Sequence, residues 1–392
     1  MQRTAKGYCY DQMSSTEKTV LIKPSLSEAQ AVELVGRLYG LKVSSVRPMP
    51  SYIDQNLHIV VSESQGTEDH SKSYVLKVMN TVDSQDADLI EAQTRVMMFL
   101  NEKGFPSSTP IPTIDGKIMS LETIEQKNEY RQHMVRLLTY LPGVPVASLT
   151  LDHRTFYRMG KTIAQMDKCL HEFYHPTTKS LHREGFQWSL SNLHLLEKYL
   201  HEMEEGDTRS IVEQVIQQFK EKILPNMDKF RGSIIHGDCN EYNILLEPVD
   251  PWIEGVVEKP GLTLPQPEFQ ISGILDFGDM SYGCFVYELV ISITYLMIMG
   301  RDPIGVGGHV IAGFESVIPL MEDERDAMFL LVLCRFSQSL LIATHNVLLN
   351  PENEEYIMIT VRKGWKCLHQ LWELGKEAVE RIWFDTAKSY QS

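Results

Sequence analysis

Twice between Ile234 and Gly278 the chain runs a short apolar segment into an aspartate, and this pair constrains the fold more than any other feature. The first segment reads Ile234-Ile235-His236-Gly237-Asp238-Cys239-Asn240-Glu241-Tyr242-Asn243-Ile244-Leu245; the second reads Gly273-Ile274-Leu275-Asp276-Phe277-Gly278-Asp279. The apolar runs 243–246 and 271–275 are parted by a stretch containing proline and glutamate, 247–269, for which a solvated loop is the default reading. The pattern predicts a β-hairpin-like insert that brings Asp238, Asn243 and Asp276 together. Either half alone is weak, because a strand ending in aspartate at a turn is ordinary capping.

Together the halves carry chemistry. An aspartate five positions before an asparagine, followed by Asp-Phe-Gly, is the arrangement kinases use. Asp238 is placed to accept or orient the proton of an acceptor hydroxyl. Asn243 and Asp276 offer the hard oxygen ligands that Mg2+ requires. His236 reads as a packing residue of this loop rather than a second base, and Gly237 as a backbone position passing close to something. Glu288, in an otherwise apolar helix start, reads as an anchor for the loop backbone.

The rest of the chain supplies the frame. At 392 residues it is too long for one ordinary core and suits two lobes around a cleft. A helix starting at Ser27 with a Ser27/Gln30 capping box comes first. Strands are predicted at 43–49, 56–62 and 73–79, a helix at 88–103, and strands at 118–123 and 134–141. That order gives a small antiparallel sheet with a packed helix. Beyond Thr155 the pattern is mainly helical, at 155–173, 193–204, 210–230, 287–299, 323–349 and 355–385. The class is α+β: a protein-kinase-like two-lobed fold with a nucleotide-binding lobe at 24–141 and a larger catalytic lobe at 142–392. Residues 1–23 read as a disordered tail. Gly305, Gly307 and Gly308 fit no phosphate-loop spacing and are expected in a turn between helices.

Lys77 is a lone cation inside an apolar strand. Either it snorkels from a sheet edge or it is the phosphate-binding lysine; in the second case its partner is Glu91, with Asp88 as the alternative. The loop before the second strand, 48–56, has no glycine. Ser51 and Asn56 could cover phosphates there, or the segment could be an ordinary hairpin turn. Thr139, Tyr140 and Leu141 lead between the lobes and are expected to meet the nucleotide base through backbone groups.

Bulk properties exclude several alternatives. The net charge of −15 disfavours wholesale binding to nucleic acid or anionic membrane. The 6 cysteines are scattered without a CxxC pair, which points to a reducing compartment. Residues 1–18 lack the apolar core of a secretory signal, and Asp11 and Glu17 among the basic residues disfavour a transit peptide. The apolar runs 285–299 and 328–348 contain Glu288, and Arg335, Gln338 and His345, so both read as buried helices.

From His236 to Asn243, and again at Asp276-Phe277-Gly278, the chain resembles the aminoglycoside phosphotransferase and choline kinase superfamily. A fuller likeness, carried by Leu41-Lys42-Val43, Pro50-Ser51-Tyr52, the run from Val135 to Gly143, the run from Ile274 to Gly283 and Val306-Gly307-Gly308-His309-Val310, is to the vertebrate hydroxylysine kinase family. That resemblance implies transfer of the γ-phosphoryl group of GTP to the side-chain hydroxyl of 5-hydroxy-L-lysine, with Mg2+, in the cytoplasm. Small-molecule partners are expected, and neither nucleic acid nor membrane. Other cationic alcohols (choline, ethanolamine, an aminoglycoside) with ATP or GTP remain open on the residues, as does a silent nucleotide-binding scaffold. Hydroxylysine carries a carboxylate and two ammonium groups, so Asp279, Tyr282, Arg183, Trp188 and Arg335 are candidates to meet it. Arg335 could equally pair with Glu288 or Glu315 for structure.

Overall fold

The computed structural model describes residues 8–9, 20–51, 53–62, 71–126, 128–249, 268–349 and 354–391. Most of the expected tail and nearly all of the 247–269 insertion lie outside them. The chain divides into two compact units: residues to 141 with 173–182, and residues 142–172 with 183 onward.

The first unit is built on a five-stranded antiparallel sheet. Its strands are β1 (Val43–Met49), β2 (Gln55–Ser62), β3 (Ser71–Val78), β4 (Ser120–Gln126) and β5 (Glu129–Thr139), in spatial order β1-β2-β3-β5-β4. Helix α1 (Glu28–Tyr39) begins with the Ser27/Gln30 capping box and ends on Gly40 at φ 65°. Its Leu34, Val35 and Leu38 pack on Leu57, Ile59, Leu76, Val78, Val135 and Leu137, which strand alternation puts on one face. Helix α2 (Ala87–Glu102) serves the other face, where Ile90 meets Met79 and Met134 and the Arg136 guanidinium donates to Thr94 Oγ1 at 2.8 Å. The sheet is therefore covered on both faces rather than packed against one helix. That is why Lys77 on β3 is buried instead of reaching water.

The second unit is mainly helical. Strands β6 (Val144–Pro145), β8 (Ile244–Pro248) and β9 (Phe269–Ile274) form a small sheet in the order β9-β8-β6, and β7 (Gly232–Ile235) pairs antiparallel with β10 (Ser281–Cys284). Around them lie α3 (His153–Leu170), α4 (Asp207–Gln218), α5 (Phe285–Met299), α6 (Pro303–Glu315), α7 (Glu322–Leu349) and α8 (Glu354–Lys388). Helix α7 is long and apolar enough to cross a membrane by composition, but 83% of that window is buried inside the protein.

Two expectations need correction. Gly305, Gly307 and Gly308 lie inside α6, not in a turn. A Cβ at Gly307 would fall on the indole of Trp383, whose Nε1 donates to Ile304 O at 2.8 Å, and one at Gly308 on Thr386, so these two make room for α8, whereas a Cβ at Gly305 would meet the Asp302 carboxyl. Gly313 likewise lets α6 touch the Tyr157 carbonyl of α3. The segment expected as helix at 193–204 is instead wound as 3₁₀ turns over Leu190–Glu202, and α4 passes into a π-helical turn at Phe219–Ile223 ahead of Pro225. Apolar spacing alone does not distinguish these windings.

Candidate active site

The second unit brings the two aspartate motifs together through its strand register. Ile244 pairs with Ile274, and the Leu275 N–H donates to Asn243 O at 2.8 Å, so the end of one motif is tied to the start of the other. Asp238, Asn243 and Asp276 thus sit at one end of the hairpin.

Inside the loop the hydrogen bonds fix each side chain. Asn240 Oδ1 accepts from the backbone N–H of Tyr242 at 2.8 Å and of Asn243 at 3.0 Å, an Asx-type turn that closes the loop. Asp238 Oδ2 accepts from Asn243 Nδ2 at 2.8 Å and Asn240 Nδ2 at 3.0 Å. Its Oδ1 lies 3.6 Å from Arg335 Nη2. Burial and the charges of Asp279 and Asp276 push the Asp238 carboxyl well above the usual range, against the opposing pull of Arg335 and the Asn240 amide. Such a carboxylate takes up a proton more readily than a solvated one. Because Asn243 spends its Nδ2 on Asp238, its Oδ1 remains as an oxygen for an ion.

Gly237 adopts φ 78°, and a Cβ there would lie 2.8 Å from Asp279 O. The close approach expected for Gly237 is therefore to the second motif. Its N–H donates to Glu288 Oε2 at 2.9 Å, as an anchor would accept it. His236 Nε2 lies 2.9 Å from Leu275 O, and His236 Nδ1 lies 3.3 Å from the Asp238 N–H. A carbonyl can only accept and an amide can only donate, so the ring is neutral with its proton on Nε2. Burial, which pushes the imidazole down, agrees. Asp276 holds a left-handed conformation at φ 53°, uncommon outside glycine, and accepts from the Gly278 N–H at 3.3 Å.

The acceptor candidates are placed unequally. Arg183 donates to Gly278 O at 2.8 Å and Met280 O at 3.4 Å, and its guanidinium covers Phe186 at 3.5 Å. It clamps the turn after Asp276. Arg335 is fully buried; it donates to Trp188 O at 3.1 Å and Gln338 Oε1 at 2.8 Å, and lies 5.1 Å from the Trp188 ring and 5.3 Å from Tyr295. Neither alternative partner considered from the sequence takes it: Glu288 binds Gly237, and Glu315 pairs with Arg325. Asp279 is half-buried and bears electrostatically on Asp238, whereas Tyr282 is exposed on β10.

In the first unit, Lys77 Nζ lies 3.3 Å from Asp54 Oδ2. Asp54 is a residue that sequence reasoning missed, although it sits in the very loop singled out for covering phosphates. Its Oδ1 accepts from Asn80 N at 2.9 Å and Asn80 Nδ2 at 3.0 Å. Glu91, the expected partner, accepts from Arg95 at 3.2 Å. Ser51 Oγ donates to Asp54 O at 2.7 Å, and Asn56 Nδ2 to Pro50 O at 3.4 Å, so both side chains tie the turn to itself. The Thr139 N–H donates to Thr109 O at 2.9 Å while Thr139 Oγ1 accepts from the Thr109 N–H at 2.9 Å, Tyr140 N–H donates to Ser73 O at 3.4 Å, and Leu141 follows, half-buried.

The chain resembles known proteins in sequence and in fold. Residues 62–257 match the model of the phosphotransferase enzyme family. The chain is 47% identical to the hydroxylysine kinase of Bos taurus, over 96% of this chain and 97% of that one. It is 48% identical to that of Mus musculus, over 94% and 96% respectively. Among solved structures, an aminopropanol kinase superposes with TM-score 0.61 at 14% identity, over 91% of this chain and all of the other. An amicoumacin kinase in complex with AMP-PNP, Ca2+ and Ami superposes with TM-score 0.60 at 15% identity, over 88% and 97%. At that identity the structural likeness speaks for the fold alone.

Proposed function

Because this chain belongs to the hydroxylysine kinases of the phosphotransferase enzyme family, we propose that it transfers the γ-phosphoryl group of GTP to the side-chain hydroxyl of 5-hydroxy-L-lysine. The products are GDP and 5-phosphohydroxylysine. The observation that carries the reading is the hold on Asp238: two amides on one oxygen and the Arg335 guanidinium facing the other.

Asp238 receives the hydroxyl proton as the oxygen–phosphorus bond forms and the bond from the γ-phosphorus to the GDP oxygen breaks. Because such transition states are loose, the work of Asp238 is chiefly to aim the hydroxyl, and the fixed loop serves that end. Asn243 and Asp276 supply two hard oxygens suited to Mg2+, which when bound neutralises charge on phosphate oxygens. Lys77, held by Asp54, is assigned to the nucleotide phosphates, and backbone groups of residues 139–141 to the base. Asp279 suits an ammonium group of the acceptor. Arg335 keeps Nε and Nη2 without hydrogen-bond partners among the described residues despite full burial, which suits an acidic group, either Asp238 itself or the acceptor carboxylate. A cytoplasmic location is proposed from the likeness to the hydroxylysine kinases.

The test is release of GDP or ADP by the purified protein with Mg2+, offered 5-hydroxylysine, lysine, choline, ethanolamine and an aminoglycoside. Turnover with hydroxylysine and not with lysine supports the reading, since lysine lacks only the accepting hydroxyl. Asp238→Asn should lower kcat by about 1,000-fold while nucleotide still binds. Full activity in that variant would refute the role of Asp238, and turnover with choline alone would move the acceptor.

A further inference from the structure

Beneath the loop that carries Asp238, two carboxyl groups are buried with too few partners. Asp167 lies on α3, in the stripe of Gly160, Ile163, Ala164 and Leu170 that faces the interior, and is fully buried. Neither of its oxygens accepts a hydrogen bond from the described residues. Glu288 on α5 is fully buried too; Oε2 accepts from Gly237, and Oε1 has no partner among them. Helices α3 and α5 pack together, and the charge that bears on Asp167 is that of Glu288.

Two neighbouring carboxylates in a dry interior cannot both ionise; they retain one proton between them. Burial first, and then the Glu288 charge, push Asp167 well above its usual range. Glu288 Oε2 already accepts from a backbone N–H, whereas neither Asp167 oxygen accepts such a bond from the described residues, so the shared proton is placed on Asp167. The other titratable groups facing the pair are His236 and Cys239 of the loop. His236 is neutral, and burial together with the two carboxyls pushes the Cys239 thiol well up, so neither supplies a cation. His236, Cys239 and Glu288 offer atoms within 4.8 Å of one another, a grouping that resembles a metal site. Both ring nitrogens of His236 are already committed to backbone groups, so it has no lone pair for an ion.

We propose that Asp167 is a neutral carboxylic acid that donates its proton to Glu288 Oε1 and thereby acts as a positioning residue for catalysis. The chain of bonds runs from the Asp167 hydroxyl to Glu288, from Glu288 to the Gly237 N–H, and so to Asp238, the next residue. One proton engages one Asp167 oxygen and Glu288 Oε1, two of the three orphaned oxygens, and fixes the rotamer in which Glu288 holds the loop. The inference rests on the role assigned above to Asp238.

The experiment compares Asp167→Asn and Asp167→Leu in the full chain, by steady-state kinetics and by infrared difference spectra in the carbonyl region. Asparagine keeps an N–H donor for Glu288 and should recover most of the rate that leucine loses. Leucine should lower kcat by about 10-fold or more with KM for nucleotide little changed. The wild type should show a protonated-carboxyl band near neutral pH that both variants lack. A leucine variant with wild-type kcat, an asparagine variant as slow as leucine, or no such band would each overturn the proposal. If leucine does not fold, the asparagine variant and the band still decide. Silence of the wild type toward hydroxylysine would count against the acceptor assignment instead, and the band, which needs no turnover, would still test Asp167.

Discussion

Replacing Gly237 by alanine tests whether the catalytic loop is held as tightly as its contacts imply. The residue sits at φ 78°, where an L side chain costs about 1–2 kcal/mol. The added Cβ would stand 2.8 Å from Asp279 O, a backbone atom that cannot rotate away. On the other side the Gly237 N–H is bound to Glu288 Oε2 at 2.9 Å, so relief by moving the loop breaks that bond. Both routes shift Asp238, and a displacement of about 1 Å at a reacting group can cost on the order of 100-fold in rate. The expected outcome is a kcat lowered by about 100-fold, with nucleotide binding kept and stability lowered by about 2–3 kcal/mol. Gly40→Ala is the control: Gly40 has φ 65°, but its added Cβ meets only Ile114 at 3.6 Å. It should lose about 1 kcal/mol and no activity. Paired kinetics and denaturant melts read both effects. A Gly237→Ala enzyme with wild-type kcat would refute the reasoning.

Asp276→Asn should raise the Mg2+ concentration needed for half-maximal activity by about 10-fold or more, read by metal titration, without lowering the melting temperature by more than a few degrees. Glu324 is fully buried and accepts from Arg231 Nε at 3.0 Å, Arg231 Nη2 at 2.6 Å and Met321 N–H at 2.9 Å. Burial raises its pKa, but these bonds outweigh burial and hold it below the ordinary glutamate range. A depressed carboxyl stabilises above the unfolded value and loses that stabilisation as pH falls through the folded one. Arg231→Met should therefore cost about 3 kcal/mol at neutral pH, and the gap to wild type should narrow below the unfolded value, as denaturant melts across pH would show. Gly313→Ala should lower stability by about 3 kcal/mol in the same melts, because its Cβ would overlap the Tyr157 carbonyl of α3.

Much of the site was legible because it is local in sequence. From His236 to Asn243 the loop is closed by its own Asx-type turn, so spacing alone placed Asp238 and Asn243 correctly relative to each other. The hairpin was legible for the same reason: strand periodicity and register are short-range. Helix α1 announced itself by a capping box that the fold retains. Other features depend on what packs from a distance. Glycines that read as a turn became part of α6, where Trp383, some 76 residues beyond Gly307, takes the space that Gly307 and Gly308 leave. Lys77 takes Asp54 as a partner because the sheet is covered on both faces, a fact no single strand carries.

Asp167 marks the division most clearly. Asp167 was not singled out by the sequence, because nothing near it in the chain names a partner for its carboxyl. Its neighbour Glu288 is 121 positions away, and only the packing of α3 on α5 brings the two carboxyls into one dry space. The sequence by itself determined the fold class, the family and the residues proposed for phosphoryl transfer, because motifs and periodicity are written at short range. Tertiary structure alone decided which charges are paired, which proton is held and which glycines are needed, because desolvation and steric contact depend on distances that chain order does not encode.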